Sequence, residues 1–458
     1  MLLRFGVSNH RSIRDYQELY LSASKRIKRK GLVIPVPTLR ENAVPVVALY
    51  GGNASGKSNL IDAIDEFRRK IIQSHKWLDA TDDIPWDPFR LDDTGGKEPT
   101  RFDCTFIVRD GKSVKSDPHT NESVYEYGFE YVATEFRREW LYRVVRKERQ
   151  SMQLLFDRMT ENGRVRVDFG SKLRGENKTI ANLTRPNSLF LSAAAQNNHP
   201  LLTNLHSFFA THWTVILHAG VMEDAIVAKR LANYEHMKCL LSLVRQADIG
   251  IVDIDVADEE IIENDNGFMH DFAELLSKHI SRDDDEGQFD RTSLIDEMLH
   301  RQRLNFTHLG EENRTSAFGY SKESKGTKTL ISLLIPALEA LAQGSVLVID
   351  ELDTSLHPSL AHAFVSLFVN KESNPHGAQL IFSTHDPVLL GSGLLHHDEI
   401  WMTDKSEEGK TQFTPLIEFN LRSRDDIEKA YRLGRLGGVP SSDSFYVNFL
   451  DDPDSAVL

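Results

Sequence analysis

Cysteine is nearly absent from this sequence, which holds only Cys104 and Cys239 in a chain of 458 residues. Neither belongs to a CxxC motif, and neither has a histidine nearby in a zinc-like spacing. A disulfide framework and a structural zinc site are therefore excluded. Apolar side chains make up 40% of the residues, and a chain of this length has enough of them to bury two or three lobes.

Long apolar runs are also missing. No window approaches the roughly 18 consecutive apolar residues that a membrane-spanning helix needs. The N-terminus reads MLLRFGVSNHRS and lacks the extended apolar stretch of a secretory signal. We therefore expect a cytoplasmic protein with no membrane association.

Excess positive charge is lacking as well, since the formal net charge is -14. Indiscriminate coating of nucleic acid depends on neutralising phosphates with lysine and arginine, so this charge argues against it. Two local basic runs remain, at 25–30 and at 137–149, and the second surrounds Trp140 and Tyr142. Each run could bind nucleic acid or an acidic partner, or could be a solvated face.

A glycine-rich motif stands between a predicted strand and a predicted helix. The segment 45–50 is a short apolar run, and 59–72 carries apolar residues at helical spacing. Glycines in such a loop let the backbone curl around a phosphate, so that N–H groups and the helix N-terminus point at the anion. The motif fits the pattern GxxxxGK[ST] and reads Gly51-Gly52-Asn53-Ala54-Ser55-Gly56-Lys57-Ser58.

This motif predicts binding of ATP with Mg²⁺. We expect Lys57 to contact the β- and γ-phosphates and the Ser58 hydroxyl to bind Mg²⁺. A structural glycine turn without a ligand is the alternative. The residues predicted to bind nucleotide in this region are Gly51, Asn53, Ala54, Ser55, Gly56, Lys57, Ser58 and Asn59.

Polar residues follow two further buried strands. Residues 345–349 are apolar on both faces and run into Asp350 and Glu351, where open α/β sheets bind their ligands. Asp350 is predicted to hold Mg²⁺ through its water shell, and Glu351 to act as the general base that orients the attacking water. His385 follows the strand at 379–382 and is predicted to sense the γ-phosphate. The alternatives are a solvated acidic strand end and a histidine without a function.

Strands that alternate with helices predict an α/β fold with a parallel sheet covered on both faces. Alternating apolar residues from 101 to 155 predict antiparallel hairpins. Residues 190–310 are predicted to be mainly helical, with an exposed acidic loop at 282–287. The predicted segments are an N-terminal ATPase lobe, a helical insertion or dimerisation lobe, a C-terminal ATPase lobe and a tail, at 1–189, 190–312, 313–420 and 421–458.

The order of these motifs resembles the ABC-type heads of SMC-like DNA-repair ATPases and of OLD (overcoming lysogenization defect) ATPases. The stretch between Lys57 and Asp350 is far too long for a compact nucleotide kinase or GTPase core. The resemblance implies an ABC-type P-loop head, with a mixed sheet, an antiparallel β subdomain and an inserted helical lobe. The similar segments are 5–13, with His10 where phenylalanine is common, and 57–60, 348–358 and 383–386.

In such heads a signature motif contacts ATP that is bound to the opposite subunit. This chain departs from the usual glycine pair and offers Ser324, Gly326 and Thr327 before the predicted helix at 329–341. The resemblance implies that Ser324, Gly326 and Asp353 bind nucleotide, and that ATP closes a head-to-head homodimer or a higher oligomer. An ordinary helix N-cap is the alternative for the serine.

The resemblance also implies a function in anti-phage defence. The segment 425–440 looks like the terminal segment of stand-alone OLD-like defence ATPases; those of the PARIS type are most similar, and Septu- or retron-associated ATPases are an alternative. Residues 386–458 are too few for a fused TOPRIM nuclease. We therefore expect a separate effector, a TOPRIM or HNH nuclease, and a trigger that is DNA or a phage protein.

Other functions remain open at this stage. An SMC-like ATPase of DNA repair or processing, and a scaffold that ATP locks with incidental turnover, are the main alternatives. An ABC transporter motor is disfavoured because the signature is altered and the insertion has no apolar stripe for membrane docking.

Overall fold

The computed structural model forms two compact units. Unit 1 comprises Met1–His218, Ala340–Asp353 and Ala361–Leu458, and unit 2 comprises Ala219–Glu339 and Thr354–Leu360. The acidic loop at 282–287 and most of the basic run at 25–30 lie outside the described residues. The described residues are 1–25, 27, 31–76, 79, 81–109, 122–146, 150–161, 163–232, 234–247, 250–260, 300–419, 421 and 426–437.

Unit 1 contains an antiparallel sheet of seven strands. These are β1 (Leu2–Ser8), β2 (Gln17–Tyr20), β6 (Thr100–Arg109), β7 (Glu122–Tyr131), β8 (Phe136–Arg146), β9 (Gln150–Glu161) and β10 (Arg164–Phe169). Their order is β10-β9-β8-β7-β6-β1-β2, and every neighbouring pair is antiparallel. The hairpins predicted from alternation between 101 and 155 are confirmed. A separate small hairpin pairs β3 (Ile34–Val36) with β4 (Glu41–Ala43).

A second sheet of unit 1 carries the glycine motif. Its strands are β5 (Val46–Gly51), β11 (Trp213–Ile216), β15 (Val346–Ile349), β16 (Gln379–Ser383), β17 (Ile400–Lys405) and β18 (Thr411–Pro415). The order is β11-β15-β16-β5-β17-β18, with all pairs parallel except β17 with β18. Every residue of β5, β15 and β16 is buried, as expected for parallel strands covered on both faces.

The described α-helices belong to both units. They are α1 (Lys57–Gln73), α2 (Asn177–Leu183), α3 (Phe190–Gln196), α4 (Leu202–Thr211), α5 (Asp224–Leu231), α6 (Met237–Gln246), α7 (Lys325–Gln343), α8 (Pro358–Val369), α9 (Pro387–Gly391) and α10 (Ile427–Arg432). In the core of unit 1, the Phe67 ring of α1 contacts Phe5, Phe129, Phe209 and Trp213. The two sheets of unit 1 share this core through α1, which begins at Lys57 and therefore anchors the end of the glycine motif.

Unit 2 combines helices with an antiparallel sheet of β12 (Ile251–Glu260), β13 (His300–Leu309) and β14 (Thr315–Gly319). The prediction that 190–310 is mainly helical is wrong for three of its segments, because β11 of unit 1 and β12 and β13 of unit 2 are strands. In β13, buried Leu304 and Phe306 alternate with Arg303 and Asn305, the period of two that a strand requires. Within the described ranges, no helix combines the length and apolar character that crossing a bilayer requires.

Candidate nucleotide site

Three adjacent strands of unit 1 end at the same edge of the parallel sheet. Strand β5 ends at Gly51, β15 is followed by Asp350 and Glu351, and β16 is followed by Thr384 and His385. Because β15, β16 and β5 are parallel neighbours, their carboxyl ends lie side by side. This edge is where open α/β sheets bind ligands.

Two positions of the glycine loop have no space for any side chain, so that only glycine fits there. Gly56 precedes α1 with a φ of 107°, in the left-handed region. A Cβ atom on Gly56 would lie 2.1 Å from Thr411 Oγ1, and one on Gly51 would lie 2.2 Å from Thr403 Oγ1. Close approach thus explains the first and last glycines of the motif, and backbone conformation is a second reason for glycine at Gly56.

Lys57 lies inside this loop, with a side chain that is almost fully buried. Its Nζ atom donates hydrogen bonds to the carbonyl oxygens of Gly51 at 2.8 Å and Gly52 at 3.0 Å. Burial lowers the pKa of Lys57 to about 8, although the carboxylates of Asp350, Asp353 and Glu351 act in the opposite direction. The ammonium is therefore held by neutral carbonyls that a phosphate can replace.

Ser383, the last residue of β16, connects the Asp350 carboxylate to the backbone of Glu351. Its hydroxyl donates to Asp350 Oδ1 and accepts a hydrogen bond from the Glu351 N–H at 2.7 Å. Asp350 is only 4% exposed, whereas Glu351 is exposed and has a φ of 54°. Sequence reasoning missed Ser383. Its only signal was a hydroxyl at the end of a buried strand, next to the Thr384-His385 pair.

His385 is half-buried next to the same charges. Burial and the positive charge of Lys57 lower its pKa, while Asp353, Glu351 and Asp350 oppose the shift. The His385 N–H also donates to Asp353 Oδ2 at 3.3 Å. Lys57, Asp350, Glu351, Asp353 and His385 therefore form one electrostatically coupled group, the acid–lysine–histidine group.

Two residues predicted to bind nucleotide direct their side chains toward protein atoms. Ser55 Oγ lies 2.7 Å from Thr403 Oγ1, and the Asn59 amide donates to Ser12 Oγ. Any contact of these residues with a phosphate would therefore come from the backbone. The remaining loop residues Asn53, Ala54 and Ser58 are exposed.

The signature-like segment belongs to unit 2. The Ser324 hydroxyl accepts a hydrogen bond from Thr327 N at 3.1 Å, which makes Ser324 the N-cap of α7. Gly326 is half-buried, and a Cβ on it would lie 3.2 Å from the Ser355 carbonyl oxygen. This capping is the alternative considered for Ser324, so its contact with nucleotide stays a prediction.

The basic run around Trp140 is largely engaged within the antiparallel sheet. Arg138 pairs with Asp157 at 2.7 Å, Arg143 donates to Ser123 Oγ at 2.9 Å, and Trp140 is 4% exposed. These contacts favour a structural role for Arg138 and Arg143. Residues 147–149 lie outside the described part of the chain. Among the residues that the structure describes, no cluster of metal-binding side chains is found.

The fold and the acid–lysine–histidine group define a P-loop ATPase. The chain belongs to the family described as "AAA domain, putative AbiEii toxin, Type IV TA system", whose model matches residues 46–391. No curated protein matches the chain. Among solved structures, the chain is similar to an SMC head bound to the C-winged helix domain of ScpA. The sequence identity is 12% and the TM-score is 0.37, and the match covers 94% of this chain and 99% of that chain.

Proposed function

We propose that this ATPase hydrolyses ATP at the edge formed by β5, β15 and β16, and that it controls a separate effector as an ATP-closed dimer. The observation that carries the first part is the acid–lysine–histidine group. A buried lysine from the glycine loop is coupled there to three carboxylates and a histidine from the two neighbouring strand ends. Such coupling of perturbed titratable groups is typical of functional sites.

Each member of the site has a role that its environment supports. Lys57 leaves the loop carbonyls and binds phosphate oxygens as a point charge. Glu351 orients the attacking water and accepts its proton, because its carboxylate is exposed and its strained backbone is of the kind found at functional positions. His385, kept neutral by its lowered pKa, exchanges a hydrogen bond with the terminal phosphate.

The donors present also fit a magnesium ion. Ser58 offers an exposed hydroxyl, and Asp350 has one carboxylate oxygen engaged by Ser383, leaving Oδ2 outside the hydrogen bonds of the described residues. Mg²⁺ prefers few protein oxygens and completes its shell with water and phosphates, so these two residues are sufficient. When bound, the ion offsets the negative charge of the phosphates.

The dimer is proposed from the signature-like segment and Asp353. Ser324 is exposed although it caps α7, and Gly326 stands in the first turn of that helix without a side chain. N–H groups at a helix start favour anions, which is the chemistry needed to receive the nucleotide of a second subunit. The Asp353 carboxylate accepts a hydrogen bond from the backbone N–H of His385, and through this bond it would transmit the state of the nucleotide site.

The biological function is proposed from two similarities. The family description names a putative toxin of a type IV toxin–antitoxin system. The motif order resembles that of OLD ATPases, and the segment 425–440 resembles the terminal segment of stand-alone OLD-like defence ATPases, of which the PARIS type is most similar. We infer that ATP controls a TOPRIM or HNH nuclease in response to DNA or a phage protein.

Two substitutions test the chemistry. Lys57→Ala is expected to abolish ATP binding, whereas Glu351→Gln is expected to bind ATP, lose at least about a hundredfold in turnover and accumulate a dimer or larger assembly. Phosphate release, equilibrium binding and light scattering measure these effects. Glu372→Gln removes an exposed carboxylate outside the site and serves as the matched control. Equal turnover in Glu351→Gln and the parent would show that Glu351 is not the base.

Purification from native cells, with and without ATP, tests the effector. Mass spectrometry is expected to find a nuclease with this chain, and isolation of the chain alone under both conditions would contradict the proposal. Biological activity separates a motor from an ATP-locked scaffold. An ATP-locked scaffold is expected to keep its biological activity in Glu351→Gln and to lose it in Lys57→Ala, whereas a motor is expected to lose it in both variants.

A further inference from the structure

The hairpin of β17 and β18 presses two buried threonines against the glycine loop. Thr403 Oγ1 donates to the Tyr50 carbonyl oxygen at 3.1 Å and lies 2.7 Å from Ser55 Oγ. Thr411 Oγ1 donates to the Ser55 carbonyl oxygen at 2.9 Å. Both threonines are at most 1% exposed, so neither hydroxyl has water as a substitute partner.

The N-terminal turn supports Thr411 from the other side. Ser12 Oγ lies 2.7 Å from Thr411 Oγ1, and Thr411 N donates to the Ser12 carbonyl oxygen at 2.8 Å. Asn59, in the first turn of α1, donates to the same Ser12 hydroxyl. The Gln17 side chain bonds to the Thr411 carbonyl oxygen and to the Phe413 N–H. Thr411 is therefore fixed by several partners and cannot easily follow a moving loop.

The contacts span the loop from beginning to end. Thr403 adjoins Gly51, and Thr411 adjoins Gly56, each so closely that a Cβ on the glycine would collide with the threonine hydroxyl. The same two threonines hold the carbonyls of Tyr50 and Ser55. The curvature between these points is thus set by the hairpin as well as by the glycines.

We propose that Thr403 and Thr411 are positioning residues for ATP binding. They hold the loop backbone in its curved form before nucleotide arrives, so that binding does not have to order it. This inference rests on the proposed function, because it assumes that the loop binds the phosphates of ATP. The threonines act through the backbone of the loop, whereas Asp350 and Glu351 are held by β15 and Ser383. Loss of a threonine hydroxyl should therefore weaken ATP binding and leave the chemical step nearly intact.

Steady-state hydrolysis by three variants tests this inference. Thr411→Val keeps the shape of the side chain and removes the hydroxyl, and it is expected to raise KM for ATP about tenfold with kcat within about twofold of the parent. Thr411→Ser keeps the hydroxyl and should restore the parental KM. Thr403→Val provides a second test, with the same expected pattern, if Thr411→Val does not fold.

Thr160→Val is the matched control, since Thr160 is a buried threonine of β9 whose hydroxyl has no partner among the described residues. It should leave both parameters unchanged. A parental KM in the valine variants, a fall in kcat alone, or failure of Thr411→Ser to restore KM would overturn the inference. The proposed ATP hydrolysis is tested separately, because it is contradicted if the parent does not hydrolyse ATP or if Lys57→Ala hydrolyses it equally well.

Discussion

Nucleotide binding is expected to be coupled to proton uptake by Lys57. The unliganded protein holds this side chain in a buried position with a pKa of about 8. Phosphate oxygens favour the charged ammonium, so bound nucleotide raises the pKa of Lys57 well above this value. Above about pH 8, the protein must therefore take up a proton when it binds nucleotide.

The size of the effect follows from the pKa. The amine is about half neutral at pH 8 and about nine-tenths neutral at pH 9, so uptake rises from about 0.5 to about 0.9 proton per site. Affinity falls about fivefold over the same interval, which is about 1 kcal/mol.

The same lowered pKa predicts that Lys57 costs stability in the unliganded protein. The neutral amine is favoured on folding, so the penalty is fully present below about pH 8 and is relieved as the pH rises toward the ordinary value of 10.5. Lys57→Met should therefore be more stable than the parent at neutral pH, by about 3 kcal/mol in chemical denaturation.

Calorimetric titration with ADP and Mg²⁺ measures the coupling. ADP avoids turnover, and buffers of different ionisation enthalpy report the number of protons exchanged. His385→Gln is the control, because the lowered pKa of His385 leaves its imidazole neutral in this range and the uptake should not change. A binding enthalpy that is independent of buffer at about pH 9, together with constant affinity from pH 8 to 9, would refute the assignment of Lys57.

Two further predictions concern the loop and the carboxylates. Gly56→Ala should lose both stability and ATP affinity, because its Cβ would lie 2.1 Å from Thr411 Oγ1 at a φ of 107°. Gly163 also has a positive φ but has open space around it, so Gly163→Ala introduces backbone strain without crowding. Chemical denaturation of both variants therefore separates the two effects, and equal losses of stability would exclude crowding at Gly56. Ser383→Ala should lower kcat about tenfold with little effect on ATP affinity, because it releases Asp350 and the Glu351 backbone. A parental kcat would contradict this role.

The parts of the site that could be predicted from the sequence are those whose functional residues are adjacent in the sequence. GxxxxGK[ST] specifies its own backbone, and the apolar strand before Asp350 and Glu351 indicates a buried parallel strand with a polar end. The structure places these two strands in one parallel sheet with β16 between them, and the α/β architecture expected from the alternation of strands with helices is confirmed.

Other parts depend on which strands become neighbours, and no local pattern contains that information. The Ser383 hydroxyl matters only because β16 lies between β15 and β5. Thr403 and Thr411 have no motif, and their roles arise from contacts with residues more than 340 positions away. Ser55 and Asn59 are predicted from the sequence to bind nucleotide. In the structure, the Ser55 side chain contacts Thr403 and the Asn59 side chain contacts Ser12, and these contacts stabilise the loop.

The position of β5 in its sheet has a consequence for synthesis of the protein. This strand is made early, but it pairs with β16 and β17, which leave the ribosome more than 300 residues later. Until then its backbone has no partner on either edge, and an exposed apolar strand of this kind invites aggregation. Such distant pairing also makes folding slow. A nascent chain therefore acquires its nucleotide site among its last folding events, and it depends on protection by chaperones during translation more than a protein with local pairing does.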